Sequence, residues 1–210
     1  MEKHDELLKR AQAVLKTTFG YNEFRPMQKE VIASVLSGRD TLAVMPTGGG
    51  KSLCYQIPAL LFSGITVVIS PLISLMQDQV SSLLENGVNA LFLNSTLEWE
   101  DYIHAVRRIK SGEVKLVYLS PEALAAQRTQ NILHDCNVPV SCITIDEAHC
   151  VSEWGHDFRP DYMEISSVRR QFKGAVCLAL TATATSHVRA DIVANLNMNE
   201  PEIFIAGFNR

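Results

Sequence analysis

The fold of this chain is decided by the stretch Met45-Pro46-Thr47-Gly48-Gly49-Gly50-Lys51-Ser52. An apolar run from Thr41 to Val44 precedes it, and a segment that can begin a helix follows it at Leu53. A glycine-rich turn between a strand and a helix is the context of a phosphate-binding loop. Successive glycines let the backbone turn tightly and point N–H groups at an anion, while the new helix presents its positive end to the same place. The stretch therefore predicts a phosphate site.

The residues of this loop have separate predicted roles. The segment Thr47-Gly48-Gly49-Gly50 forms the cradle, Lys51 places a positive charge near the outer phosphates, and the Ser52 hydroxyl can ligate Mg²⁺. The full pattern G-x-x-x-x-G-K-[ST] would have glycine where this chain has Met45. A flexible surface loop is the alternative interpretation, and the position between a buried strand and a helix disfavours it.

Composition limits the class of protein. With 210 residues, 47% hydrophobic and 20% charged, the chain predicts one soluble globular domain with a sizeable core. The net charge of −4 provides no global attraction for nucleic acid, so any such contact must come from local chemistry. No apolar run approaches the ~18 residues of a membrane span and no secretory segment is visible, so we expect a cytoplasmic protein without a membrane partner. The five cysteines include no C-x-x-C pair and are expected to be reduced core residues.

Apolar strand candidates alternate with helical stretches along the chain. An amphipathic helix is predicted over residues 5 to 18, and a second helix from about Pro26 to Leu36. Several strand candidates are apolar without alternation, as strands buried on both faces are. This pattern predicts an α/β fold with a mostly parallel sheet and helices on both faces. The predicted strands span Thr41 to Val44, Ile65 to Ile69, Ala90 to Leu93, Val114 to Leu119, Val140 to Ile145, Ala175 to Leu180 and Glu202 to Ile205.

An acidic pair, Asp146-Glu147, follows the buried strand candidate Val140 to Ile145. Open α/β sheets bind ligands at the carboxyl ends of their strands. Adjacent residues that leave a strand point in different directions, so Asp146 can hold the Mg²⁺ shell while Glu147 orients and deprotonates an attacking water. The alternative is a pair that caps a helix, which the phosphate loop upstream disfavours. A Thr-Ala run that begins at Thr181 ends another strand, and it is either a relay between sites or an ordinary strand end.

Polar turns follow three further strand candidates, at Ser70, at Asn94-Ser95 and at Ser120. Hydroxyls and free amides at helix N-termini can bind phosphates along a nucleic-acid backbone without reading its sequence. Each turn alone is compatible with a simple helix cap. Three of them at successive strand ends of one sheet make a continuous track for nucleic acid.

An aromatic segment directly follows the acidic pair. Trp154 and Phe158 can stack on unpaired bases, and Arg159 can contact a phosphate or a base face. One alternative is an aromatic plug under a loop. A zinc site from His149, Cys150 and His156 is another, but the spacing matches no common ligand pattern.

Together these motifs resemble the first RecA-like domain of a superfamily two helicase, specifically of the RecQ family of DNA helicases. The resemblance rests on residues 45 to 56, on Asp-Glu-Ala-His-Cys at 146 to 150 and on Trp-Gly-His-Asp-Phe-Arg-Pro at 154 to 160. It implies a RecA-like P-loop NTPase fold, ATP and Mg²⁺ as cofactors, and a role in DNA repair and recombination. Methionine in place of the first loop glycine is similar to what this superfamily shows.

The resemblance also implies roles for individual residues. Phe19-Gly-Tyr-x-x-Phe-Arg-x-x-Gln28 is similar to the family's adenine-recognition motif, so Tyr21 and Arg25 should flank the base and Gln28 should read its edge. The implied catalytic residues are Lys51, Asp146, Glu147 and His149. The implied metal ligands are Ser52 and Asp146, partly through water. The implied DNA contacts are Ser70, Asn94, Ser95, Trp154, His156, Phe158 and Arg159.

By the same resemblance, residues 1–18 form a helix packed on the domain, residues 19–207 form the ATP-binding domain, and residues 208–210 begin a second RecA-like domain. That second domain would supply arginine fingers, so we expect this chain alone to be a nearly inactive fragment. The longer protein would couple ATP hydrolysis to translocation on single-stranded DNA and to unwinding of partly duplex DNA, near the nucleoid if it is bacterial. The alternatives are a non-catalytic nucleic-acid-binding module, an NTP-regulated switch and a single-domain P-loop kinase.

Overall fold

The structure is a computed structural model that describes residues 2–94 and 97–207. Within that part of the chain the strands are β1 Thr41–Val44, β2 Ile65–Ile69, β3 Ala90–Leu93, β4 Leu116–Leu119, β5 Val140–Ile145, β6 Val176–Thr181 and β7 Glu202–Ile205. The helices are α1 Glu2–Thr17, α2 Gln28–Leu36, α3 Leu53–Leu61, α4 Ile73–Glu85, α5 Trp99–Ser111, α6 Pro121–Ala125, α7 Gln127–His134, α8 Ile165–Arg169 and α9 Ser186–Asn195. Two 3₁₀ helices, Ala148–Val151 and Pro160–Glu164, follow β5.

The strands form one sheet in the order β3-β4-β2-β5-β6-β1-β7, and its pairings are parallel. All parallel strands end at the same edge, so the loops that follow β1 and β5 lie on one side of the molecule. Strand β6 lies between those two strands. Its last residue, Thr181, accepts a hydrogen bond from Met45 N at 3.0 Å. The end of β6 is therefore placed between the phosphate loop and the acidic pair.

Helices cover both faces of the sheet. One face buries Val67, Ile143 and Cys177, and the opposite face buries Val68 and Leu178. This alternation explains why the strands are continuously apolar in sequence, because each face has its own core. The predicted fold class, a parallel α/β sheet between helices, is confirmed. Among the described helices, none has the length and apolar character that crossing a bilayer requires.

Several element boundaries differ from the predictions. The first helix is shifted toward the N-terminus, β4 begins two residues late at Leu116, and β6 continues to Thr181. All five cysteines are free, and four of them are buried. The expectation of reduced, core-like cysteines is thus confirmed for these four, whereas Cys136 is only partly buried.

The prediction that Pro26 begins α2 is wrong. Helix α2 begins at Gln28, and Met27 before it has a left-handed backbone with φ of 69°. The reason is a tight turn in which Arg25 N donates to Gln28 Oε1 at 2.8 Å and Gln28 N donates to Arg25 O at 3.1 Å. The boundary between residues 18 and 19 stays a prediction, and residues 208–210 lie outside the described part of the chain.

Candidate functional site

A cleft of about 530 Å³ opens at the carboxyl edge of the sheet. It is bounded by the phosphate loop after β1, by the acidic pair after β5 and by the segment before α2. The predicted nucleotide residues that line it are Tyr21, Arg25, Gln28, Thr47, Gly48, Gly50, Lys51, Ser52, Asp146 and Glu147. The structure therefore brings together in one cavity three segments that are up to about 125 residues apart in sequence.

The phosphate loop needs glycine for both conformation and space. Gly48 and Gly50 have φ values of 78° and 79°, a region that residues with a Cβ rarely adopt. A Cβ on Gly49 would lie 2.8 Å from Pro46 O, and one on Gly50 would lie 2.2 Å from Gln28 Nε2. Both approaches are shorter than real Cβ contacts. The loop thus forms a tight cradle rather than the flexible surface loop that was the alternative interpretation.

The segment predicted to recognise adenine contacts the phosphate loop directly. Gln28 Nε2 donates to Gly50 O at 3.0 Å, and the Arg25 guanidinium donates to Gly48 O. Because Gln28 Oε1 also accepts from Arg25 N, both ends of this amide hold backbone groups. Gln28 is buried and Tyr21 is 51% exposed. Sequence reasoning missed this coupling, because no local pattern indicates a bond between residues so far apart. Base recognition by these residues stays a prediction.

Lys51 and Asp146 lie across the cleft from each other. The Lys51 ammonium makes a long contact of 3.4 Å with Met45 O. Burial, followed by the negative charge of Glu147, raises the pKa of Asp146 to about 6, and the Lys51 charge opposes this shift. Two hydrogen bonds fix the backbone of Asp146: its N–H donates to Ile69 O at 2.9 Å, and the Tyr162 hydroxyl donates to its carbonyl at 3.1 Å. The backbone of Asp146 is thus held in place at the cleft.

Glu147 has a left-handed backbone with φ of 50°. A non-glycine residue in this region costs energy and is common at functional sites. Its N–H donates to Asp146 Oδ1 at 3.0 Å, and its carboxylate lies 3.4 Å from His149 Nδ1. The same His149 nitrogen lies 2.8 Å from Thr181 Oγ1. A chain of polar contacts therefore runs from Glu147 through His149 to the end of β6.

His149 is buried, and this burial lowers the pKa of its imidazole despite the opposing charge of Glu147. At neutral pH the ring is then uncharged and carries one N–H. When that N–H is at Nδ1, it donates to either Glu147 or Thr181. The Thr-Ala run that begins at Thr181 has two interpretations, a relay between sites and an ordinary strand end. The contact of Thr181 with His149 favours the relay.

The aromatic segment after the acidic pair is anchored at its base and open at its tip. Trp154 is 79% exposed, which makes the aromatic plug wrong for this residue. Ser152 Oγ donates to Asp191 of α9 at 2.6 Å and accepts from Trp154 N at 3.2 Å. Sequence reasoning missed Asp191, because its partner lies 39 residues away and no motif joins them.

The rest of this segment returns toward the acidic pair. His156 stacks on His149 with ring centroids 4.3 Å apart. Arg159 bonds the Asp157 carboxylate through two nitrogens, each at 3.2 Å. Within the described residues, possible metal-ligand atoms of His149, Cys150 and Asp157 lie within 4.8 Å of one another. The trio considered from sequence differed, because it contained His156, whose ring here stacks on the first ligand.

The residues predicted to track nucleic acid are more buried than surface contacts would require. Ser70 is 2% exposed and Asn94 is 6% exposed. Ser70 lines the nucleotide cleft, and Asn94 lines a second cleft with Ser120. Ser120 caps α6 by accepting from Ala123 N at 3.2 Å, as the helix-cap alternative predicted. Ser95 lies outside the described residues. The DNA roles of Ser70, Asn94 and Ser95 stay predictions.

Comparison with known proteins identifies the family. Residues 25–191 match the model of the DEAD/DEAH box helicase family, a range that includes the phosphate loop, the acidic pair and the aromatic segment. The chain belongs to the DEAD/DEAH box helicase family. The helicase resemblance seen in the motifs is thereby confirmed.

Curated relatives place the chain beside RecQ helicases. It is 48% identical over 197 residues to the ATP-dependent DNA helicase RecQ of Pasteurella multocida, covering 94% of this chain and 31% of that protein. It is also 48% identical over 206 residues to RecQ of Bacillus subtilis, covering 97% of this chain and 34% of that protein. The chain spans about a third of the length of these curated relatives.

Solved helicase structures share the fold at low identity. Mss116 bound to single-stranded RNA and UDP-BeF matches with a TM-score of 0.71 and 19% identity, covering 96% of this chain and 43% of that one. The Hef helicase domain of Pyrococcus furiosus matches with a TM-score of 0.63 and 22% identity, covering 86% of this chain and 38% of that one. At these identities the likeness shows the RecA-like fold alone.

Proposed function

We propose that this chain is the nucleotide-binding lobe of an ATP-dependent DNA helicase. One observation carries the proposal: the phosphate loop, Lys51 and the acidic pair face a single cleft that Tyr21, Arg25 and Gln28 also line. A cavity that joins a phosphate cradle to planar and amide side chains fits a nucleoside triphosphate.

The residues divide the work of phosphoryl transfer. The N–H groups of the loop and the N-terminus of α3 hold the phosphates, and Lys51 neutralises charge on the outer ones. Glu147 is the base that orients and deprotonates the attacking water. Its side chain contacts His149, which in turn contacts Thr181, so a movement at the end of β6 can reach the catalytic base.

The donor set at the cleft also fits Mg²⁺, which supplies charge neutralisation of the phosphates when it is bound. Ser52 contributes a hydroxyl and Asp146 a carboxylate, both of them oxygen ligands that this ion prefers. The pKa of Asp146 is raised to about 6 because the carboxylate is buried beside Glu147, and a cation there relieves both effects. We therefore assign Ser52 and Asp146 as the residues that hold Mg²⁺, partly through water.

The substrate assignment draws on the relatives. The RecQ proteins of Pasteurella multocida and Bacillus subtilis are named as ATP-dependent DNA helicases. We extend that activity to the longer protein: Trp154, His156, Phe158 and Arg159 contact single-stranded DNA, and a second RecA-like domain completes the catalytic site. Such a protein would act in the cytoplasm, at the nucleoid if it is bacterial.

Nucleotide binding by this chain is tested with Lys51→Ala. We expect the parent chain to bind ATP in the presence of Mg²⁺ and the variant to bind at least about tenfold more weakly, because a phosphate-neutralising charge is lost. Isothermal titration calorimetry measures both affinities. Lys173→Ala is the matched control, since this exposed lysine lies far from the cleft before β6. Equal affinities for Lys51→Ala and Lys173→Ala would overturn the assignment of the cleft.

A second experiment separates a helicase from the NTP-regulated switch or binding module. In the longer protein, Lys51→Ala should abolish strand separation, measured with a fluorescent partial duplex, while single-stranded DNA binding persists. If strand separation survived this substitution, binding rather than turnover would be the function.

A further inference from the structure

A second cleft opens at the carboxyl edge, on the β3 side of the nucleotide cleft. Its volume is about 470 Å³, and Asn94, Tyr102, Ser120 and Arg128 are among its lining residues. Asn94 and Ser120 follow β3 and β4, the two strands farthest from β1 in the sheet order. The two clefts adjoin at the end of β2, because Ser70 lines the nucleotide cleft and Pro71 lines this one.

Three flat groups form a ledge beside this cleft, which we call the aromatic ledge and define as Trp99, Tyr102 and Arg128. Tyr102 and Arg128 line the cleft, and Trp99 stacks on Tyr102. The rings of Trp99 and Tyr102 are stacked with an interplanar angle of 15° and centroids 6.0 Å apart. The Arg128 guanidinium lies 4.9 Å from the centroid of the Tyr102 ring. The three groups hold one another in place, so the ledge is preorganised.

The outer ring of the ledge is largely exposed. Trp99 lies three residues before Tyr102 on α5, on the same face of the helix that packs on the core at Val106 and Ile109. It is nevertheless 69% exposed at the first residue of α5. The indole therefore presents a broad apolar surface to solvent.

We propose that the aromatic ledge binds an unpaired nucleobase of single-stranded DNA by stacking on Trp99. This inference rests on the proposed function and adds a contact to it. Aromatic side chains and guanidinium planes are the groups on which bases stack in single-strand-binding proteins, and each such contact is tolerant of sequence. A base that stacks on Trp99 would add one more flat group to the contacts among Arg128, Tyr102 and Trp99.

The charges around the ledge favour a base over a phosphate. Glu98, Glu100 and Asp101 flank the indole in sequence, and Glu122 lines the cleft. These carboxylates repel a phosphate near Trp99, but they do not penalise an uncharged base face. The strand would therefore keep its backbone away from the first turn of α5 and turn its bases toward it. A duplex cannot bind in this way, since its base faces are covered by neighbouring pairs.

The first test uses oligonucleotides that differ in their bases only. The chain has two tryptophans, so Trp154→Phe leaves Trp99 as the only indole. In this variant we expect oligo-dT to quench the tryptophan fluorescence, whereas an abasic oligomer of the same length leaves it unchanged. Equal quenching by dT and abasic oligomers would overturn the proposal and leave the ledge to a protein partner.

The second test measures affinity in the parent background by fluorescence anisotropy of labelled oligo-dT. Trp99→Ala should weaken binding by about 5- to 100-fold, and Trp99→Phe should restore most of the loss, because a phenyl ring also stacks. Leu84→Ala is the matched control. This side chain is 49% exposed near the C-terminal end of α4 and does not line the cleft. Thermal melting of each variant verifies that it is folded.

The outcomes distinguish the ledge from the proposed function. If Trp99→Ala and Leu84→Ala bind dT equally, or if the parent chain binds no oligonucleotide, the ledge proposal is overturned. If binding is selective for bases and depends on Trp99 while ATP does not bind, the ledge stands and the proposed nucleotide site falls. ATP affinity should be unaffected by Trp99→Ala, because Trp99 is not among the residues that line the nucleotide cleft.

Discussion

Two aspartates at opposite edges of the sheet show how differently this fold treats a carboxylate. Asp40 lies directly before β1 at the amino edge, and Asp146 lies directly after β5 at the carboxyl edge. Asp40 accepts hydrogen bonds from Cys177 N at 2.8 Å and Asn199 N at 2.9 Å, and it pairs with Arg169 at 3.1 Å. Its charge is therefore fully compensated by the protein.

Asp146 is compensated far less. Its carboxylate accepts one N–H, from Glu147, whose own negative charge lies beside it. The consequence is a pKa raised to about 6 by burial and by Glu147. A buried carboxylate whose hydrogen bonds and charge are matched by the protein stabilises the fold, whereas one that is only partly matched remains available for a ligand cation.

The largest effect is expected at the amino edge. Asp40→Ala should lower the free energy of unfolding by about 3–5 kcal/mol, because it leaves the Arg169 charge without its carboxylate partner and two N–H groups without their acceptor. Urea denaturation at neutral pH measures this loss. Arg39→Ala is the neighbouring control: Arg39 pairs with Glu202 on the surface, and loss of an exposed pair costs at most about 1 kcal/mol. Similar losses for both variants would show that the Asp40 cluster is not a structural anchor.

At the carboxyl edge, removal of the aspartate charge should change the free energy of unfolding in the opposite direction. Asp146→Asn should raise the free energy of unfolding at pH 7 by about 1–3 kcal/mol, since it removes a partly buried charge. The folded-state pKa of about 6 lies above the ordinary value of 3.8, so the folded chain binds the extra proton between these values. The parent chain therefore loses stability as pH rises from about 4 to 6.

The pH dependence supplies the control for Asp146→Asn. Well below the ordinary value of 3.8, at about pH 2 to 3, the parent carboxyl is protonated in both states, so the difference in stability between the two chains should be smallest there. Asp78→Asn, at an exposed position of α4, is the surface control and should leave the stability at pH 7 unchanged. Thermal melts across this range decide the matter: an Asp146→Asn variant that is less stable than the parent at pH 7 would contradict the comparison.

The two edges also differ in how far sequence alone could predict them. The carboxyl edge follows from local patterns, because a buried strand followed by Asp146-Glu147 or by Gly50-Lys51 places these residues at the ends of parallel strands. The Asp40 cluster could not be predicted, since its partners lie 129, 137 and 159 residues away. Such contacts depend on strand order, which no local periodicity encodes.

Within the functional edge, the residues were predictable but their mutual contacts were not. The left-handed backbone of Glu147 and the bond from Gln28 to Gly50 depend on how loops from different strands meet. The same holds for the stacking of Trp99 on Tyr102, which was not predicted although both residues lie on one helix.

The smallest effect concerns the support of Asp146 rather than its charge. Tyr162→Phe should lower the free energy of unfolding by about 1 kcal/mol, because the buried hydroxyl donates to the Asp146 carbonyl at 3.1 Å. The bond goes to the backbone and not to the carboxylate, so the loss should be constant between pH 4 and 8. For the same reason, the double variant with Asp146→Asn should show the sum of the two single effects within about 0.5 kcal/mol. Urea denaturation of the four chains measures this coupling, and a larger deviation would mean that Tyr162 acts on the carboxylate itself.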